Sequence, residues 1–273
     1  MVKTFIGGVV IGIANIIPGV SGGTMMVLMG MYRKLLDSIS NLFMRGNKNR
    51  INDFIYLLTV SIGAVVGIVG FANVLNILFI NFETQTYYFF IGLIVSSLII
   101  FVRKEFSDSK IEILWMIVGF VIIVSSLLFT NDSSFSGYPE LSLYLIIILL
   151  LVGIISGGSM IIPGVSGSLI LLIFGKYHLI RNYVSEVLSF DVKIMVPIFV
   201  FGIGVLIGIY LTAKTMKELL KKYRVNSLSF IVGLIAASVV VVIPFETEYN
   251  LFIVLSSILS LAVGYISVKL INI

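Results

Sequence analysis

Cysteine is absent from the 273 residues, histidine occurs once, and Asp and Glu together number 13. A disulfide framework and thiol chemistry are therefore excluded. Almost no carboxylate falls inside an apolar run, so a Ser-His-Asp hydrolase, a membrane metalloprotease or a His-dependent lipid phosphatase lacks its constellation. The same scarcity leaves no metal site, and no cofactor is implied. No Gly-Lys-Ser/Thr follows a glycine loop, which removes ATP binding through a P-loop. Charged residues are 11% of the chain, against roughly a quarter in soluble domains. The start, "MVKTFIGGVVIGIANII", resembles a signal peptide but is followed by no small-x-small site, so we read no cleavage.

What is present is apolar. Hydrophobic residues make up 59% of the chain and the mean hydropathy is +1.17. Six runs, at about 54–80, 87–103, 112–129, 194–213, 227–244 and 250–268, are long enough to cross a bilayer. The fold class read from this is an all-α polytopic membrane protein. Two further apolar segments, 4–31 and 141–173, are interrupted by helix breakers.

Those interruptions repeat. "IIPGVSG" begins at Ile16 and again at Ile161, 145 positions later. At the same offset Gly30 and Tyr32 match Gly175 and Tyr177. After a four-residue length difference, Gly63 and Gly67 match Gly204 and Gly208, and "GLIVSS" from Gly92 matches "GLIAAS" from Gly233. The chain thus reads as a duplication, 1–130 and 141–273, each half one broken segment followed by three spans.

Basic residues orient those spans, because cytoplasmic loops are enriched in Lys and Arg. Arg33, Lys34, Arg45, Lys48 and Arg50 precede span 54–80, and Arg103, Lys104 and Lys110 follow span 87–103. In the second half the basic cluster lies between the matching spans, from Lys214 to Arg224. The halves are therefore expected to be inverted. The net charge of +5 follows from this topology and needs no nucleic-acid partner. Segment 141–173 must then enter and leave on the outer face; two crossings need about 40 residues, and a re-entrant hairpin fits its 33. By symmetry 4–31 is a hairpin dipping from the cytoplasm, with both termini cytoplasmic. A rival in which 4–31 crosses from an external N-terminus differs only in the side of Lys3.

Pro18 and Pro163 disfavour helix at the residue before them, and Gly19 and Gly164 permit a tight turn. Ser21 and Ser166 are placed to cap the returning half-helices. The amides of Gly22, Gly23 and Thr24, and of Gly167 and Ser168, would then be donors for an anion at a half-helix N-terminus. Two inverted hairpins would bring two such ends toward one cavity, as in many secondary transporters. A kink without function is the plainer reading of one copy, and two copies in opposed halves weigh against it. Asn15, just before the first break, would bond either a ligand or the opposing turn. Gly8/Gly12, Gly63/Gly67, Gly153/Gly157 and Gly204/Gly208 have the spacing of close helix packing. Arg33 and Lys34 follow the first hairpin and Arg181 the second, where they would capture a phosphate headgroup or only anchor to lipid.

"GGVVIGIANIIPGVSGGTMMVLMGMY" at 7–32 and "SGGSMIIPGVSGSLILLIFGKY" at 156–177 resemble the bacterial polyprenyl-phosphate (undecaprenyl-phosphate) transporters, formerly a domain family of unknown function. The resemblance covers essentially the whole chain. It implies a non-enzymatic lipid translocase of the bacterial cytoplasmic membrane, returning the carrier lipid phosphate from the outer to the inner leaflet for cell-wall synthesis. The residues alone support a transporter for something anionic. They leave open a channel or secondary transporter for a small anion and, less well, a scaffold for cell-wall enzymes.

Overall fold

Helix boundaries in the computed structural model follow the polar punctuation of the sequence. The structure describes residues 1–16, 21–42, 44, 46–126, 137–186, 191–245 and 247–271. Among these, twelve helices and no strands occur: α1 Val2–Ile16, α2 Gly22–Leu28, α3 Tyr32–Leu42, α4 Arg50–Asn81, α5 Glu83–Glu105, α6 Ile113–Ser126, α7 Leu143–Ile161, α8 Gly167–Ile173, α9 Tyr177–Ser185, α10 Val192–Lys222, α11 Arg224–Val242 and α12 Leu251–Ile271. Six of them, α4, α5, α7, α10, α11 and α12, are long and apolar enough to cross a membrane. The chain is a multi-pass membrane protein. This set differs by one from the six expected spans. Helix α6 is described for 14 residues only, whereas α7 is one unbroken 19-residue helix because nothing before Pro163 interrupts it.

The polar stretches after each broken motif are not simple loops. Helix α3 occupies part of 32–53 and buries Leu35, Leu36 and Ile39; α9 buries Leu179, Ile180 and Tyr183. Both place apolar residues at helical spacing on one face, which a search for long apolar runs does not detect. The basic cluster after 213 is likewise helical, since α10 continues to Lys222.

Four helix pairs form the body, and all four run in parallel. Gly8 packs against Val60 and Gly63, Gly12 against Ala64, and Gly67 against Val9, so numbers rise together along α1 and α4. The same holds for α7 and α10, where Gly153 meets Phe201 and Gly204, Gly157 meets Val205, and Gly158 meets Thr212. Beside α5, Thr84 bonds Thr247 just before α12 at 3.1 Å, Gln85 bonds Ser256 of α12 at 2.9 Å, and further along Gly92 lies against Leu261. Just before α6 the Glu112 amide donates to Ser229 of α11 at 2.9 Å, and further along Gly119 and Gly233 pack against the facing backbone. The last helix of each half of the chain thus packs on the other half.

These seams depend on missing side chains. Small residues let helices approach closely where the hydrophobic effect supplies no force between them. A Cβ at Gly208 would lie 2.8 Å from the Gly158 nitrogen, while one at Gly202 on the same helix meets nothing within 4 Å. Overpacking of this kind costs about 1–3 kcal/mol. Gly208→Ala should lower the thermal unfolding midpoint of the purified protein, and Gly202→Ala should not. Equal midpoints for the two variants would remove the close-packing role of the seam.

Candidate functional site

Polar groups at the first break are paired by the chain itself. The Asn15 side chain reaches across the break and accepts from the Gly22 amide at 3.1 Å. Ser21 caps α2 and accepts from the Gly23 amide at 3.2 Å. The expectation of free donors therefore fails at Gly22 and Gly23, because two local side chains reach them first. Pro18 and Gly19 lie outside the described residues.

The second break is built differently. Helix α7 ends at Ile161, and Ile162 turns extended (φ −80, ψ 120) before Pro163, as a residue preceding proline must. Pro163 is fully buried. Gly164 adopts φ +82, and a Cβ there would run into the Leu234 carbonyl of α11, a position closed to any side chain. Ser166 occupies the cap position of α8 but makes no capping bond; its hydroxyl pairs with that of Ser168 at 2.6 Å on the exposed side. Gly167 accepts through its carbonyl from Ser156 at 3.0 Å. The position matching Asn15 is Met160, so the side chain that satisfies α2 has no counterpart at α8.

The two breaks touch. The Gly164 amide donates to the Thr24 hydroxyl at 2.8 Å, across 140 residues of sequence and fully buried. Beside this bond, a Cβ on Gly23 would stand 3.1 Å from the carbonyl oxygens of Met160 and Ile162. Convergence of the two motifs, expected from the repeat, is thus made by Thr24, Gly23 and Gly164.

The expected capture cations separate into different roles. Arg33 bonds Glu105 at 2.6 Å, and Arg224 bonds the same carboxylate at 3.1 Å. Exposed ion pairs contribute little singly, but one shared carboxylate ties α3, α5 and α11 together. Lys217 likewise joins α10 to α3 through Asp37 at 2.8 Å and Asn41 at 2.9 Å. Arg181 is exposed on α9. Lys34 lines a cavity to which neither Arg33 nor Arg181 contributes.

That cavity has a volume of ≈ 1070 Å³ and lies between α1, α2 and α4 on one side and α5 and α12 on the other. Along α4 it touches Tyr56 and then Phe71, Val74, Leu75 and Leu78, a reach of about 33 Å at 1.5 Å per residue. The wall is mostly Leu, Ile, Val, Met and Phe, and no Asp or Glu lines it. Sequence reasoning missed this feature, because its wall is assembled from helices distant in sequence, which no local pattern records.

Comparison with known proteins then fixes the family. The description "VCA0040-like: Undecaprenyl phosphate translocase-like" matches residues 11–257. The chain belongs to that family. It is 28% identical over 241 residues to a protein of Staphylococcus aureus (strain NCTC 8325 / PS 47) named "Polyprenyl-phosphate transporter", covering 87% of this chain and 84% of the relative. A Vibrio cholerae protein (serotype O1, strain ATCC 39315 / El Tor Inaba N16961) of the same name is 27% identical over 255 residues, covering 89% and 78%. No solved structure matches. The family places this chain among membrane transporters and not among enzymes.

The Thr24–Gly164 bond gives a direct test. Thr24→Val removes the acceptor while keeping shape, and leaves a buried amide unpaired at a cost of about 1–3 kcal/mol. Its unfolding midpoint should fall well below that of Thr24→Ser, which keeps the hydroxyl. Indistinguishable midpoints would mean that the two breaks are held together by other contacts.

Proposed function

We propose that the chain carries polyprenyl phosphate across the bacterial cytoplasmic membrane, from the outer to the inner leaflet, returning the carrier lipid to cell-wall precursor synthesis. The observation that carries this reading is the contact between two broken, buried motifs beside a long apolar groove with cations on its wall. Such a groove suits a lipid tail. A small inorganic anion has no use for so long a hydrocarbon-lined groove.

The helix directions support an inverted, re-entrant architecture. Helices α7 and α10 are parallel neighbours, so Leu143 and Val192 begin on one face, and the chain after α7 returns to that face through α8 and α9. The same reasoning applies to α1 and α4 through α2 and α3. Basic residues at the start of α4 and at the end of α10 put the first hairpin's mouth in the cytoplasm and the second's outside. Helix α12 runs with α5, whose last turn carries Arg103 and Lys104, and α1 runs with α4 from its basic start, which supports cytoplasmic termini. Arg181, on α9 at the outer mouth, and the paired hydroxyls of Ser166 and Ser168 are then the groups offered to an incoming phosphate.

The test is purified protein in sealed liposomes, scored for inward movement of fluorescent polyprenyl phosphate and, in parallel, for chloride and phosphate flux. Lipid movement without ion flux is expected. Flux of either ion at comparable rates, with no lipid movement, would replace the lipid reading with a small-anion transporter.

A further inference from the structure

One end of the groove is electrostatically distinct from the rest. Gly8 of α1 lies against Val60 of α4, so one turn earlier Thr4 and its neighbour Lys3 stand level with Tyr56. From α3, the Lys34 ammonium sits 4.5 Å from the centre of the Tyr56 ring. Lys3, Lys34 and Tyr56 all line the cavity. The nearby carboxylates are engaged elsewhere: Asp37 with Lys217, Asp53 with Ser38 and Asn47, and Glu105 with Arg33 and Arg224. Two ammonium groups therefore share this mouth with no carboxylate on its wall.

Tyr56 supplies a second, independent sign. It is only 7% exposed, and its hydroxyl is buried without a hydrogen-bond partner among the described residues. A buried polar group is normally paired, and an orphan in a cavity wall points to something that binds there. A donor beside two cations, at the end of an apolar trough, matches an anionic head on a long hydrocarbon tail.

We infer that this mouth docks the phosphate monoester head of a single-tailed lipid, held by Lys3, Lys34 and the Tyr56 hydroxyl, with the tail lying along the groove. The inference rests on the proposed function and adds to it the place where the lipid is held on the cytoplasmic side. It also reassigns the cations that follow the first hairpin. Lys34 meets the head, while Arg33 braces α3 against Glu105. Lys3, near the N-terminus, becomes a ligand-binding residue.

The experiment measures binding to full-length protein in nanodiscs of neutral phosphatidylcholine. The probes are a fluorescent short-chain polyprenyl phosphate, the matching polyprenol, and inorganic phosphate as competitor. Lys34→Gln and Tyr56→Phe, the latter keeping the ring under Lys34, should each weaken polyprenyl phosphate binding about tenfold, the size of one lost hydrogen bond to a charged group. Polyprenol binding should be weaker than that of the phosphate and unaffected by either change. Val74→Trp, which narrows the groove wall, should weaken both lipids. Lys193→Ala, on the opposite face, should change neither.

Unchanged polyprenyl phosphate affinity in both Lys34→Gln and Tyr56→Phe, with wild-type binding intact, would overturn the docking site and leave the proposed function standing. Absence of polyprenyl phosphate binding in the wild-type protein would overturn both. Inorganic phosphate competing as strongly as the lipid would overturn the tail's part in the site.

Discussion

Backbone amides and carbonyls in hydrocarbon have no water to bond, so a chain that breaks its helices there must satisfy the exposed groups from within the protein. Both repeated motifs break their helices inside apolar segments, and the surrounding structure answers that constraint. Asn15 and Ser21 take the two leading amides of α2. Thr24 then takes the Gly164 amide of the other motif. One break thus solves part of the pairing problem of the other, which fixes their relative position more firmly than packing of interchangeable apolar side chains could.

The glycine seams serve the same end at larger scale. Parallel pairing of α1 with α4 and α7 with α10 holds each broken arm against a long helix of its own half. The exchange of α6 and α12 between halves then locks the two together. The halves are nonetheless unequal. Their seams match, Gly12 on Ala64 and Gly157 on Val205, but their breaks do not. Helix α2 is buried and capped, while Ser166 and Ser168 at the head of α8 keep their hydroxyls on the exposed side.

Much of this was legible in the sequence. The duplicated Pro-Gly-Val-Ser-Gly motif, the long spans and the paired glycines are local patterns, and local patterns survive without coordinates. Gly8, Gly63, Gly153 and Gly204 pack as their spacing implied. What stayed hidden depends on contacts between distant residues. Asn15 could have bonded a ligand or a turn, and only its distance to Gly22 decides. Arg33 and Lys34 are adjacent, yet one turns to Glu105 and the other to Tyr56. Helices α3 and α9 were missed for a different reason: their signal is a 3.6-residue period within polar sequence, not a run.

The most direct measurement is the sidedness of the two ends of the second broken segment. Cysteines introduced one at a time at Glu140 and Glu186 in this cysteine-free chain would be probed in intact cells with a membrane-impermeant thiol reagent, beside Asn47 and Lys221. Glu140 and Glu186 should both react from outside, and Asn47 and Lys221 should be protected until the membrane is opened. Labelling of Glu140 from outside with Glu186 protected would mean that the segment crosses, and the inverted, re-entrant arrangement would be wrong.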